Sequence, residues 1–157
     1  MKPKIYIETS VISYLTARPS RDILIAANQQ VTQEWWQARR LDFDLYVSQL
    51  VVQEISSGDV DAAEKRQQIL SACSFLDITP EAVRLAERLI GQQVIPRQAA
   101  EDALHIAVAT VSGMDYLVTW NFKHIANPAI RVNVEFVCRL SGYEPPVICS
   151  LMELLEV

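Results

Sequence analysis

A chain of 157 residues, half of them hydrophobic and only four of them glycine, can bury one substantial core, which excludes a disordered or low-complexity protein. The formal charge of −5 excludes the global basic field that draws non-specific binders to nucleic acid. Cys73, Cys138 and Cys149 are widely spaced, form no CxxC pattern, and read as small buried residues of a reducing compartment rather than a disulfide framework.

The opening MKPKIYIETS has no hydrophobic signal core, and no apolar run approaches membrane-spanning length, so a cytoplasmic chain with no membrane partner is expected. Residues 4–7 form a short apolar strand ending at Glu8. A helix follows directly, with Thr9 or Ser10 as its cap. A second helix is expected over 21–40, capped by Ser20, with a stripe of Leu24, Ala27, Val31 and Trp35 widened by Ile23 and Trp36. Residues 44–48 read as a strand, and Ser48 as the cap of a helix over 49–57 that turns Glu54 to its polar side and stops at Gly58. Asp59 caps a helix through Ala72, and 74–78 form a strand. Thr79-Pro80-Glu81 is a helix start: cap, proline in the first position, acid in the first turn. That helix runs to Gln93, and Pro96 separates it from the next.

The stretch 99–121 organises the rest. It opens as a helix, continues through Gly113 into a strand over 116–119, and ends at Asn121. At roughly 100° per residue, Gln98, Glu101, Asp102, His105 and Ser112 share one strip of an otherwise apolar helix. That strip faces either bulk water or a wet cleft. Beyond it, 122–125 read as one turn of helix, 129–140 as a helix stopped by Gly142, 147–149 as a strand and 150–156 as a helical tail. Strands separated by helices require crossovers, so residues 1–157 are expected to form one three-layer α/β/α domain around a central, mainly parallel sheet.

Ligands of such sheets bind beyond the carboxyl ends of the strands. Glu8 and Asn121 follow strands, Glu54 sits in the helix after the second strand, and Asp102 starts the helix that feeds the strand over 116–119. Each alone has a plain explanation, as a solvated helix residue or a first-turn acid favoured by the helix dipole. Together they are four oxygen-bearing side chains that can converge. Clustered carboxylates repel unless a cation neutralises them. Oxygen donors without a Cys or His cluster select Mg²⁺ or Mn²⁺ over zinc, and such an ion suits phosphodiester hydrolysis.

The segments IYIETSVISYL, VSQLVVQEI, EDALHIAVA and YLVTWNFKHI, in that order, resemble the PIN-domain nucleases, whose best-known small members are the VapC-type toxins. The resemblance spans nearly the whole chain. It implies a parallel sheet with an acidic cleft, Mg²⁺- or Mn²⁺-dependent cleavage of an RNA substrate, a cognate antitoxin and a homodimer. Position by position it places the family's acids on Glu8, Glu54 and Asp102, its fourth polar residue on Asn121, and its supporting hydroxyls on Thr9 or Ser10 and on Thr119. Two positions depart from the pattern. Glu8 stands where the family has Asp, one carbon–carbon bond or roughly 1.5 Å longer, and Asn121 adds no charge.

The leading expectation is therefore a metal-dependent ribonuclease, with metal-activated water as attacking group. A non-catalytic RNA-binding protein on the same fold and a metal-dependent phosphatase are the rivals. His105 could orient Asp102 or meet RNA, but reads first as a hydrogen-bonded structural histidine. Lys123 and His124 could meet backbone phosphate, and Trp35-Trp36 fill a core or an interface rather than stack bases. The glycines make no nucleotide-cradling pattern.

Overall fold

The computed structural model of the protein describes residues 1–56 and 60–155. At its centre is β1 (Lys4–Ile7), whose Ile5, Tyr6 and Ile7 are wholly buried. A strand buried on both faces belongs inside a parallel sheet covered by helices. β1 has β2 (Asp44–Ser48) on one side and β4 (Tyr116–Val118) on the other. β3 (Ser74–Leu76) extends the sheet past β2, and β5 (Val147–Cys149) past β4. The order is β3-β2-β1-β4-β5, and every pairing is parallel.

Two groups of helices cover this sheet. α1 (Thr9–Thr16) packs on α2 (Ile23–Arg39), α3 (Gln49–Ile55) and α4 (Ala63–Ser71), and α2 packs on α8 (Leu151–Leu154). α5 (Pro80–Gly91) packs on α6 (Ala100–Val111) and α7 (Pro128–Leu140). Right-handed crossovers account for the split. The chain steps from β1 to β2 to β3 in one direction, then returns past β1 to β4, which carries the following helices to the other face. The expected three-layer arrangement is the one observed. Among the described residues no helix is long and apolar enough to cross a membrane.

Several helix starts differ from the sequence reading. Glu8, not Thr9 or Ser10, caps α1: it is extended (φ −78°, ψ 158°) and its carboxylate accepts the Ser10 N–H at 3.1 Å. Asp22 rather than Ser20 caps α2, accepting from the amides of Leu24 and Ile25, while Ser20 Oγ accepts from Asp22 N–H. The α2 stripe also begins late, since Ile23 and Leu24 are exposed and the buried residues are Val31, Thr32 and Trp35. A 17-residue helix runs about 26 Å, twice the roughly 13 Å of a four-residue strand, so its first turns overhang the sheet. Ser48 holds the N-cap position of α3, but its hydroxyl bonds Tyr6 instead of the helix.

Other segments follow the sequence more closely. Thr79 caps α5 through the Ala82 amide at 3.2 Å, with Pro80 in the first position as expected. Gly113 and Gly142 take positive φ, at +74° and +91°, where the chain reverses after α6 and α7. β3 ends at Leu76, two residues early, and 122–125 form a hydrogen-bonded turn rather than a helix. Trp35 is wholly buried against Phe43, with ring centroids 5.5 Å apart, so it belongs to the core and not to a contact between copies. Ser57, Gly58, Asp59 and Glu156 lie outside the described residues.

Candidate active site

The strand order changes direction between β1 and β4, and the crevice beyond the carboxyl ends at such a switch is where open parallel sheets bind ligands. Ile7 pairs with Val118, so Glu8 and Thr119 leave the sheet side by side. Glu8 is only 5% exposed. Its Oε1 accepts from Ser10 Oγ at 2.5 Å, Thr119 Oγ1 at 2.6 Å and Ser10 N–H at 3.1 Å. Those hydroxyls in turn accept the next amides of the chain: Trp120 N–H reaches Ser10 Oγ at 2.8 Å and Asn121 N–H reaches Thr119 Oγ1 at 2.9 Å. A carboxylate this buried needs such donors. Glu8 Oε2 takes none of the described hydrogen bonds. Among the described residues Trp35 Nε1 is the sole fully buried polar side-chain atom without a partner, so Glu8 Oε2 keeps some contact with solvent.

The path continues from Asn121. Its Oδ1 accepts the His124 N–H at 3.0 Å, and the His124 ring places Nδ1 3.1 Å from Asp102 Oδ2. Glu8, Thr119, Asn121, His124 and Asp102 therefore form one hydrogen-bonded path from β1 through the end of β4 to the first turn of α6.

Glu54 joins by a second route. Its Oε1 accepts from Thr9 Oγ1 at 2.8 Å and from His105 Nε2 at 2.5 Å. His105 is wholly buried, and its Nδ1 lies 2.7 Å from the Tyr6 hydroxyl, itself 2.8 Å from Ser48 Oγ. A carboxylate can only accept, so Nε2 carries the proton shared with Glu54. In the neutral ring Nδ1 accepts from Tyr6 and Ser48 donates to the phenol oxygen; in the imidazolium Nδ1 donates to Tyr6, which donates to Ser48. Burial pushes the Glu54 carboxyl up, but the hydrogen bond and charge of His105, the Thr9 hydroxyl and Glu101 outweigh it, holding Glu54 below its ordinary value. Burial drives the Tyr6 phenol well above its ordinary range, against the lowering effect of Ser48, which keeps it a proton donor.

His105 is the hydrogen-bonded structural histidine that the sequence favours. It does not orient Asp102, and it does not share the solvent-facing strip. It turns inward and holds Glu54, while the residue against Asp102 is His124. Tyr6 and Ser48 were missed altogether. A tyrosine in the middle of a buried strand and a histidine in an apolar helix are signals, since each carries a polar group that burial obliges to find a partner.

The donors suit a hard divalent cation by type, being carboxylate and amide oxygens. They are not closed around one: among the described residues no group of three or more His, Cys, Asp or Glu side chains stands close enough to hold an ion. The acids are instead spread along a network of hydroxyls and imidazoles. A groove of about 450 Å³ between α5 and α7, lined in part by Arg88, Gln92, Asn133 and Phe136, contains no carboxylate and is separate from this network. The thiols offer no softer ligand set, since burial pushes Cys73 and Cys149 up to about 12.

An all-parallel five-stranded sheet covered by helices, with Glu8 and Asn121 following the two strands at its switch point, defines a three-layer α/β/α protein. The chain belongs to the PIN domain family, whose model matches residues 5–126. No curated protein matches it. Solved structures share the fold at low identity. VapBC2 from Rickettsia felis, bound to a DNA fragment from its promoter, is 14% identical with a TM-score of 0.61, covering 93% of this chain and 97% of that one. VapC20 from Mycobacterium tuberculosis, a sarcin-ricin loop cleaving toxin, is 17% identical with a TM-score of 0.54 over 77% and 92%. DNA-bound VapBC from Salmonella typhimurium is 12% identical with a TM-score of 0.57 over 95% and 98%.

Proposed function

We propose that this protein is a metal-dependent endoribonuclease and the toxin of a type II toxin–antitoxin pair. The observation that carries the reading is the hydrogen-bonded path from Glu8 through Asn121 to Asp102 at the switch point of a PIN-family sheet. Glu8, Glu54 and Asp102, with Asn121 as a neutral oxygen donor, would hold Mg²⁺ or Mn²⁺, which when bound supplies an activated water and neutralises charge on the phosphodiester. The chain's own residues set the carboxylates. Ser10 and Thr119 fix one oxygen of Glu8 and leave the other open, His105 and Thr9 aim Glu54, and His124 draws Asp102 toward Asn121. Both hydroxyls beside Glu8 donate to it while accepting backbone amides, so Ser10 and Thr119 position the carboxylate.

The cleaving activity named for the M. tuberculosis neighbour supports RNA as substrate, and the two VapBC neighbours support an antitoxin partner. A homodimer remains part of the proposal, with buried Trp35 removed from its contact surface. One observation favours a second reading, a non-catalytic RNA-binding protein: the acids are not closed around an ion. Incubation of single-stranded RNA with purified protein, in Mn²⁺, Mg²⁺ or chelator, separates the two. Internal cuts that appear with metal and vanish in chelator and in Asp102→Asn support the nuclease. Binding with no cuts in either metal supports the second reading.

A further inference from the structure

The turn that carries Asn121 also presents an aromatic ring to solvent. Phe122 is 50% exposed, directly beside a proposed ligand. Single exposed apolar side chains are common and mean little by themselves. This one is held in place. Trp120 beneath it is nearly buried, donating Nε1–H to Thr32 Oγ1 at 2.8 Å and its backbone N–H to Ser10 Oγ at 2.8 Å. Tyr14 stacks on Trp120 at 6.0 Å and 20°, and Phe122 stands almost perpendicular to it at 6.0 Å and 84°. The far end of the turn is pinned by the buried Ile125 and Ala126, whose amide reaches Asn121 O at 2.8 Å. Lys123, next along, is exposed and makes no ion pair among the described residues.

We infer that Phe122 and Lys123 form a binding subsite for single-stranded RNA, Phe122 stacking on an unpaired base and Lys123 meeting the adjacent phosphate. A rigid aromatic ring beside an unpaired cation is the pairing that single-strand binders use, because every base has a π-face and every nucleotide a phosphate. The acids account for where the backbone is cut, but they repel the phosphates around it. A stacking platform with a cation at the end of β4 offsets that repulsion without closing on the reacting atoms. A paired duplex hides its base faces, so the subsite selects unpaired strand. The inference rests on the ribonuclease reading and extends it to the form of the substrate.

The test is fluorescence anisotropy of a short labelled single-stranded oligoribonucleotide with the full chain in chelator, so that binding is read without cleavage. Phe122→Ala should weaken binding about ten-fold. Phe122→Leu should bind as weakly as the alanine variant and Phe122→Tyr like the wild type, whereas a ring that only packs on Trp120 would be replaced well by leucine. On a fully abasic strand the wild type and Phe122→Ala should bind alike. Lys123→Gln should weaken both strands equally and lower the salt dependence. Equal affinity of wild type and Phe122→Ala for the normal strand overturns the inference and leaves the exposed ring to a protein partner. Metal-dependent cutting by both proteins with the same KM would show that the stacking idea failed while the nuclease reading stood. Ring-dependent binding by a chain that never cuts would show the reverse.

Discussion

His105 Nε2 lies 2.5 Å from Glu54 Oε1, and the imidazole between that carboxylate and the Tyr6 hydroxyl has no exposed surface at all. A helix residue 51 positions along the chain thus aims an acid on α3, from a ring that is itself fixed by the central strand. Ser48, Tyr6, His105, Glu54 and Thr9 form one hydrogen-bonded network from the core to the edge of the sheet, with His105 and Thr9 both donating to the Glu54 carboxylate. Buried networks of this kind depend on every member being satisfied.

Replacing His105 with leucine removes both of its partnerships at once. The Tyr6 hydroxyl keeps Ser48 and Glu54 keeps Thr9, so the loss is partial on each side. Urea denaturation at neutral pH should show His105→Leu less stable by about 2–4 kcal/mol. An unchanged midpoint would mean that the histidine is spectator packing.

Tyr6→Phe keeps the ring and deletes only the hydroxyl, leaving His105 Nδ1 and Ser48 Oγ without their shared partner. A destabilisation of about 1–2 kcal/mol is expected. Because Tyr6 and His105 act through one bond, the cost of Tyr6→Phe should shrink when it is made in a His105→Leu background. Additive losses in that double-mutant cycle would contradict the shared network.

Glu54 links the network to pH. Its folded carboxyl lies below the ordinary 4.5. The stability this brings is complete above that ordinary value and is lost as pH falls through the lower, folded one. Thermal melts of the metal-free protein from about pH 6 down to about pH 3 should therefore fall more steeply for the wild type than for Glu54→Gln. Parallel curves would show that Glu54 gains nothing from His105 and Thr9.

Glu8 is longer than the residue it replaces in the family pattern, and its length is used. Oε1 reaches Thr119, beyond the end of the neighbouring strand, while remaining in the Ser10 cap. Glu8→Asp withdraws the carboxylate by roughly 1.5 Å, too far to keep donors that sit at 2.5 and 2.6 Å. A loss of about 1–3 kcal/mol in stability is expected, together with weaker Mn²⁺ binding and slower RNA cleavage. Faster cleavage by Glu8→Asp would show that this position is a decayed ligand rather than an adapted one.

Much of this architecture is legible in the residues themselves. The five strands and their parallel pairing follow from short apolar runs separated by helices too long to be hairpins. Thr79-Pro80 and Gly142 mark helix ends by local chemistry that the tertiary structure leaves alone. Caps that also serve the site were misread, because the local rule competes with a distant partner. Ser48 looks like an N-cap and spends its hydroxyl on Tyr6, whereas Glu8 looks like a strand end and caps α1. The same holds for the histidines. Helical periodicity puts His105 on the face of Asp102, but the direction in which a side chain turns is set by what lies opposite, and Tyr6 and Glu54 lie there. The overhang of α2 was hidden because periodicity shows which side of a helix is apolar and not how far the sheet beneath it extends.

Glu8 after β1, Glu54 on α3 and Asp102 in the first turn of α6 are proposed to serve one divalent cation, and Asp102 is where that proposal is most exposed to refutation. Asn in its place keeps an oxygen acceptor for His124 while removing one charge from the group. Melting temperatures of the wild type and Asp102→Asn, each measured in chelator and in a series of Mn²⁺ concentrations, test this directly. The variant should melt at or slightly above the wild type without metal, and Mn²⁺ should raise the wild type alone. Equal stabilisation of both proteins by Mn²⁺ would contradict the proposal, and so would no stabilisation of either.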